Sequence, residues 1–164
     1  MSQRIVINSL AFARDAGSLH GELPIADLTR MLDMLVDSTG HLSYRIEGRM
    51  GPRNRPQLLL QLDGTLSVCC QRCLEGIDYP VEVRSMLEII TDEDELTQDE
   101  IEDDSKDFVP AQSELDVVAL IEDEIILDLP SAPRHDSCVL PDTGQGSGKI
   151  SPFSVLRGFS GKAE

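Results

Sequence analysis

Gln57-Leu58-Leu59-Leu60-Gln61-Leu62-Asp63-Gly64-Thr65-Leu66-Ser67-Val68-Cys69-Cys70-Gln71 is the stretch on which the fold turns. It reads as two β-prone runs, Gln57–Leu62 and Thr65–Gln71, on either side of Asp63-Gly64. Asp-Gly between two such runs is a strong short-range hairpin signal. Strand parity then sorts the side chains. Cys70 lies with Leu66 and Val68, whereas Cys69 faces the other way with Ser67.

The reading spreads outward from there. Leu42, Tyr44 and Ile46 alternate with Ser43, Arg45 and Glu47. After a break at Leu74–Asp78, Tyr79, Val81, Val83, Leu87 and Ile89 alternate with Glu82, Arg84 and Glu88. These runs predict an antiparallel meander of about four strands, and Arg4–Asn8 adds a fifth. Pro24–Asp37 has helical periodicity. Ile25, Leu28, Met31, Leu32, Leu35 and Val36 share one face, with Pro24 at the first helical position. A second helix is expected from a Ser113 cap to about Leu129, stopped by Pro130 and Pro133. On it Glu122 falls inside the apolar arc of Leu115, Val118, Ala119, Ile121, Ile125, Ile126 and Leu129. A carboxylate there needs a partner, and Arg72 or Arg84 is the expected one.

The expected fold class is α+β, with an antiparallel sheet of about five strands and two helices packed on it. One domain is expected over residues 1–138. Inside it, residues 91–108 form an acidic loop, because ten acids between Thr91 and Asp107 face Lys106 alone. Residues 139–164 are expected to be a flexible, Gly- and Ser-rich tail. It is broken by the apolar motif Pro152-Phe153-Ser154-Val155-Leu156, a candidate docking element with Pro152, Phe153, Val155 and Leu156 as its contacts.

Charge narrows the function. The 164 residues carry 14 Lys and Arg against 30 Asp and Glu, a formal net charge of −16. A surface of that sign opposes phosphate binding except at a local basic patch, and a basic protein is an easier partner. The one basic stretch in the folded part is Arg45, Arg49, Arg53 and Arg55, around the Met50–Asn54 turn. It is a candidate nucleic-acid contact or a solvated hairpin tip. There is no Trp, which argues against a base-stacking platform. No apolar run is long enough to span a bilayer, and no signal pattern marks the N-terminus. The four cysteines do not form a secreted disulfide framework, so a cytoplasmic, reducing location is expected.

The cysteines carry the most specific chemistry. Cys70-Gln71-Arg72-Cys73 is a Cys-x-x-Cys pair at a strand end. His135-Asp136-Ser137-Cys138 repeats the spacing downstream with one His. Four such ligands can close a tetrahedral structural zinc site, so the cofactor expectation is a structural zinc or none. The alternative is buried cysteines packing as small hydrophobes. A redox role is disfavoured because the pair ends a strand instead of opening a helix. No phosphate-binding loop, nucleophile elbow or metallohydrolase pattern occurs, so no catalytic residue is assigned.

The Cys70-Gln71-Arg72-Cys73-Leu74 knuckle and the helix end Glu122-Asp123-Glu124-Ile125-Ile126-Leu127-Asp128-Leu129-Pro130 carry a resemblance. Pro133, His135, Cys138 and the Pro152–Leu156 motif follow in the same order. Together they resemble the YceD family of large ribosomal RNA subunit accumulation proteins. The resemblance implies a non-enzymatic role in synthesis, processing or stability of large-subunit ribosomal RNA. The expected partner is an rRNA precursor or a basic ribosomal protein, with no membrane and no small-molecule substrate. A zinc-stabilised adaptor is the alternative, and a thiol redox enzyme a remote one.

Overall fold

A computed structural model of the chain describes residues 5–91, 96–103 and 107–140. In chain order its elements are β1 (Val6–Ile7), α1 (Ser9–Arg14), β2 (Ser18–Pro24), β3 (Leu35–Asp37), β4 (His41–Met50), β5 (Pro56–Cys69) and β6 (Gly76–Ile90). There follow α2 (Gln98–Ile101), β7 (Asp107–Pro110), β8 (Leu115–Asp116) and α3 (Val117–Asp128). The class is α+β, as expected. The main sheet runs β2-β4-β5-β6-β7, with β3 also paired to β5; β1 and β8 form a separate two-stranded ribbon. All pairings are antiparallel except β6 with β7.

The hairpin expected at Asp63-Gly64 does not form. β5 runs straight through it, with Asp63 opposite Ser43 on one side and Glu82 on the other. The reason is parity. Leu58, Leu60, Leu62, Leu66 and Val68 keep one period-2 register across the Asp-Gly step, and all are buried. Gly64 takes the inward position between Leu62 and Leu66 because the Leu42 side chain occupies the space a Cβ would need. The real turns lie at Gly51–Arg55 and Cys70–Glu75, where the amides of Gly51 and Cys70 bond to Arg55 and Glu75 carbonyls.

The first expected helix is also absent. Pro24 ends β2, opposite His41. Residues 25–37 form two short 3-10 turns, Ile25–Asp27 and Leu32–Met34, before β3. Leu28 and Met31 are fully buried, so the apolar spacing is used, but Leu32 and Val36 stay exposed. Tertiary partners replace helical ones here. The Ile25 amide bonds the Gly40 carbonyl, and the Arg30 amide bonds Glu122. The N-terminal strand pairs with β8 instead of joining the sheet, and α1, capped by Asn8, was not expected.

α3 starts later than expected. Asp116, not Ser113, is its cap, accepting from the amides of Val118 and Ala119. A carboxylate at this position also complements the positive end of the helix. Buried Val117, Leu120, Ile121 and Ile125 turn toward the core shared with the sheet. Part of the acidic segment is ordered as well. Thr97 and Glu100 make a reciprocal capping box on α2, and Glu100 is buried. Residues 92–95 and 104–106 of that segment lie outside the described residues.

Candidate metal centre

β5 delivers Cys70 to the inner face just past its C-terminal end, in register with Leu66 and Val68, and Cys70 is fully buried. The Cys70–Glu75 turn is closed by two backbone bonds, Cys70 N to Glu75 O at 2.8 Å and Leu74 N to Cys70 O at 2.9 Å. It brings Cys73 round to the same side. The segment after α3 is then laid against the turn, with Gln71 N donating to Pro133 O at 2.8 Å. That contact carries His135 and Cys138 across about sixty residues of sequence. One ligand atom from each of Cys70, Cys73, His135 and Cys138 lies within 4.8 Å of all the others. The group can therefore hold a metal ion. Cys69, on the opposite face, is not in it.

The donor geometry fits a tetrahedral ion. Ligand bonds of about 2.3 Å to sulfur and about 2.0 Å to nitrogen place two thiolates about 3.8 Å apart, and a thiolate and an imidazole nitrogen about 3.5 Å apart. Cys70 Sγ and Cys138 Sγ are 3.8 Å apart, and Cys73 Sγ and His135 Nδ1 are 3.3 Å apart. All four cysteines are free. His135 Nε2 lies 3.2 Å from the Gly76 carbonyl oxygen. A carbonyl only accepts, so Nε2 carries the proton and Nδ1 is left to bind. Arg72, between the paired cysteines, donates from Nε to Cys138 Sγ at 2.9 Å and from Nη2 to the His135 carbonyl at 3.2 Å.

The local electrostatics suit a thiolate. Burial pushes the Cys70 thiol up, but the amides of Cys73, His135 and Arg72 outweigh it and bring it down to about 5. Cys73 goes the other way. The Glu75 amide pulls it down, yet burial and its neighbours Cys70 and Cys138 leave it raised. His135 is raised chiefly by its bonds to Cys70 and Cys138. The cationic partner Arg72 is raised by Cys138.

A family model described as large ribosomal RNA subunit accumulation protein YceD matches residues 58–158, more than half of the chain. The chain belongs to the YceD family. No curated protein and no solved structure matches it. The YceD match begins in β5 and takes in the whole Cys/His group and α3. The family's description ties it to accumulation of large-subunit ribosomal RNA. No helix among the described residues of this YceD chain is long and apolar enough to cross a membrane.

The other sites read from the sequence fare differently. Each of the four arginines is engaged within the chain. Arg45 pairs with Glu47 at 3.3 Å, and Arg49 donates to Gln57 at 2.9 Å. Arg53 and Arg55 both bond Glu100 at 2.9 Å, and Arg55 also bonds Glu88 at 3.0 Å. Gln57 donates to Glu88 at 3.0 Å, and the Arg55 guanidinium sits 5.7 Å over the Phe108 ring. The turn is thus a clip that ties α2 to the sheet and covers Phe108 of β7. The Thr97 amide and then Arg55 hold the Glu100 carboxyl down to about 2. Glu100 was readable only through Thr97-x-x-Glu100, a capping-box pattern hidden among the acids. Glu122 is buried, but neither Arg72 nor Arg84 pairs with it. It accepts from the Arg30 amide at 2.8 Å, whereas Arg72 goes to Cys138 and Arg84 to Asp63. Pro152, Phe153, Val155 and Leu156 lie outside the described residues.

Proposed function

We propose that this chain is a non-enzymatic factor that supports accumulation of large-subunit ribosomal RNA by binding a basic ribosomal protein. The family match over residues 58–158 supports the role. The observation that favours a protein over RNA as the direct partner is the engagement of Arg45, Arg49, Arg53 and Arg55 by in-chain acceptors. Carboxylates beside Arg45, Arg53 and Arg55 already offset the charge that a phosphate would meet. The acids, at 30 against 14 bases, remain in large excess for a cationic partner.

In this reading the Cys/His group holds a structural zinc, with Cys70, Cys73, Cys138 and His135 Nδ1 as ligands. Zinc there supplies a fixed cross-link between the β5–β6 turn and the segment after α3. Three thiolates around a divalent ion leave one negative charge in excess, and Arg72 offsets it. Cys69 takes no part.

The test is genetic and biochemical. Cells lacking the chain should show a lowered ratio of large- to small-subunit ribosomal RNA, restored by the intact chain. The purified zinc-loaded chain should bind isolated large-subunit proteins in a salt-sensitive manner. Retention of protein-free large-subunit RNA instead would reverse the choice of partner.

A further inference from the structure

Large apolar side chains that face solvent flank the Cys/His group. Leu74 directly follows Cys73 and is 62% exposed; Val139 and Leu140 directly follow Cys138 and are 85% and 69% exposed. Val36, 52% exposed, stands beside the same turn, since a Cβ placed on Gly76 would lie 3.7 Å from its Cβ. Exposed apolar groups gathered at one place, as opposed to scattered, mark a surface that something covers.

Leu74 makes the point sharper. Its φ is 65°, in the left-handed region that L side chains disfavour and glycine adopts freely. The backbone bonds that close the turn require that conformation, and glycine would serve them better. A leucine here is a cost to the turn, and its side chain projects away from the core. Its side chain is therefore what the position provides.

The rim of this face is acidic. Glu75 follows Leu74, and Asp136 lies between His135 and Cys138. Asp37 and Asp78 sit on either side of Ser67 in the sheet register. All four are exposed. Of the bases nearby, Arg72 is turned inward onto Cys138 and the His135 carbonyl, which leaves Arg134. An apolar centre with an anionic rim fits a segment that is apolar and basic at once. RNA lacks the positive charge, and a second copy would set the same carboxylates against each other.

The chain itself carries such a segment, tethered at this spot. The described residues end at Leu140, two positions past Cys138 of the Cys/His group. Further along the sequence, residues 149–163 hold Lys149, Arg157 and Lys162 and no acid, in a chain whose net charge is −16. The same stretch holds Ile150, Phe153, Val155, Leu156 and Phe159. Twelve residues lie between Leu140 and Phe153, and a Gly- and Ser-rich sequence of that length has a reach of about 20 Å. The face lies well inside that reach, and a tether of this length gives an effective concentration on the order of millimolar.

We propose that residues 149–162 of this chain dock in cis on the knuckle face formed by Leu74, Val36, Val139 and Leu140, with Lys149, Arg157 and Lys162 meeting the acidic rim. This does not depend on the identity of any ribosomal partner. The test uses the full-length, zinc-loaded chain with a photo-crosslinking residue at position 36, read by mass spectrometry of the monomer. Crosslinks should map to residues 150–159. The variant Leu74→Gly should cut their yield at least tenfold while leaving the melting temperature equal or higher, because it relieves the left-handed strain. Lys149→Glu with Arg157→Glu should lower the yield several-fold and, lying outside the folded elements described, leaves the core chemistry intact if Leu74→Gly fails to fold. Crosslinks found only in covalent dimers, crosslinks elsewhere in the chain, or a yield unmoved by both variants would overturn the proposal.

Discussion

The two turns at the ends of β5 make an instructive pair. At Cys70–Glu75 a sequence motif led to the residues that the fold brings together. At Gly51–Arg55 an equally visible motif, four arginines, gave no sign of the carboxylates that the fold sets beside them. The difference lies in the partners. Thiol and imidazole ligands are rare in this chain, with four Cys and three His, so two half-sites of matching spacing restrict one another. Carboxylates number 30, and no spacing rule says which of them an arginine meets. Glu88 comes from the neighbouring strand and Glu100 from a short helix beyond it, and only folding selects them.

Removing one ligand is the most damaging way to break the comparison. Cys70→Ser should abolish stoichiometric zinc, measured by plasma emission after chelator-free purification, and lower the unfolding midpoint by many degrees. Cys69→Ser should change neither. Equal zinc content in all three proteins would return the cysteines to ordinary core packing.

At the opposite turn, Arg55→Ala leaves Glu88 and Glu100 buried against each other without their shared cation. A cost of about 3 kcal/mol is expected in urea unfolding, the scale for stripping one partner from a buried pair. A change below about 0.5 kcal/mol would mean that the clip is an ordinary surface contact.

Glu122 gives a smaller effect of different origin. Because it accepts from the Arg30 amide, Glu122→Gln keeps an acceptor and should be nearly silent. Glu122→Leu strands a backbone donor and should cost about 1–3 kcal/mol. If leucine were tolerated as well as glutamine, water would be reaching that amide.

The mildest test sharpens the clip through pH. The Glu100 carboxyl is held at about 2 against an ordinary 4.5. A depressed carboxyl adds stability that is complete above its unfolded value and is lost as the pH falls from about 4.5 toward 2. Denaturant midpoints of the wild type should therefore decline over that window, and Glu100→Gln should flatten the decline. A parallel decline in both proteins would assign the acid sensitivity to other groups.

Several elements are legible in the amino-acid sequence alone. Period-2 alternation marks β4, β5 and β6, and the Leu-Pro end of α3 and the ligand spacing are equally plain, because each depends on neighbours in the chain. The departures share one cause. Asp63-Gly64 has hairpin chemistry, but the unbroken parity of Leu58 to Val68 matters more once β4 and β6 bracket the strand. Pro24–Asp37 has helical spacing, but its Arg30 amide is satisfied by a carboxylate 92 residues away. Ser113 can cap a helix, yet Asp116 does so because Leu115 is already paired with Ile7. The chain alone determined which faces are apolar and which side chains can bind a metal, since both follow from residue type and local period. Only the tertiary structure decided which donors meet which acceptors, because a buried polar group takes whatever partner the packing brings within about 3 Å, regardless of its distance in sequence.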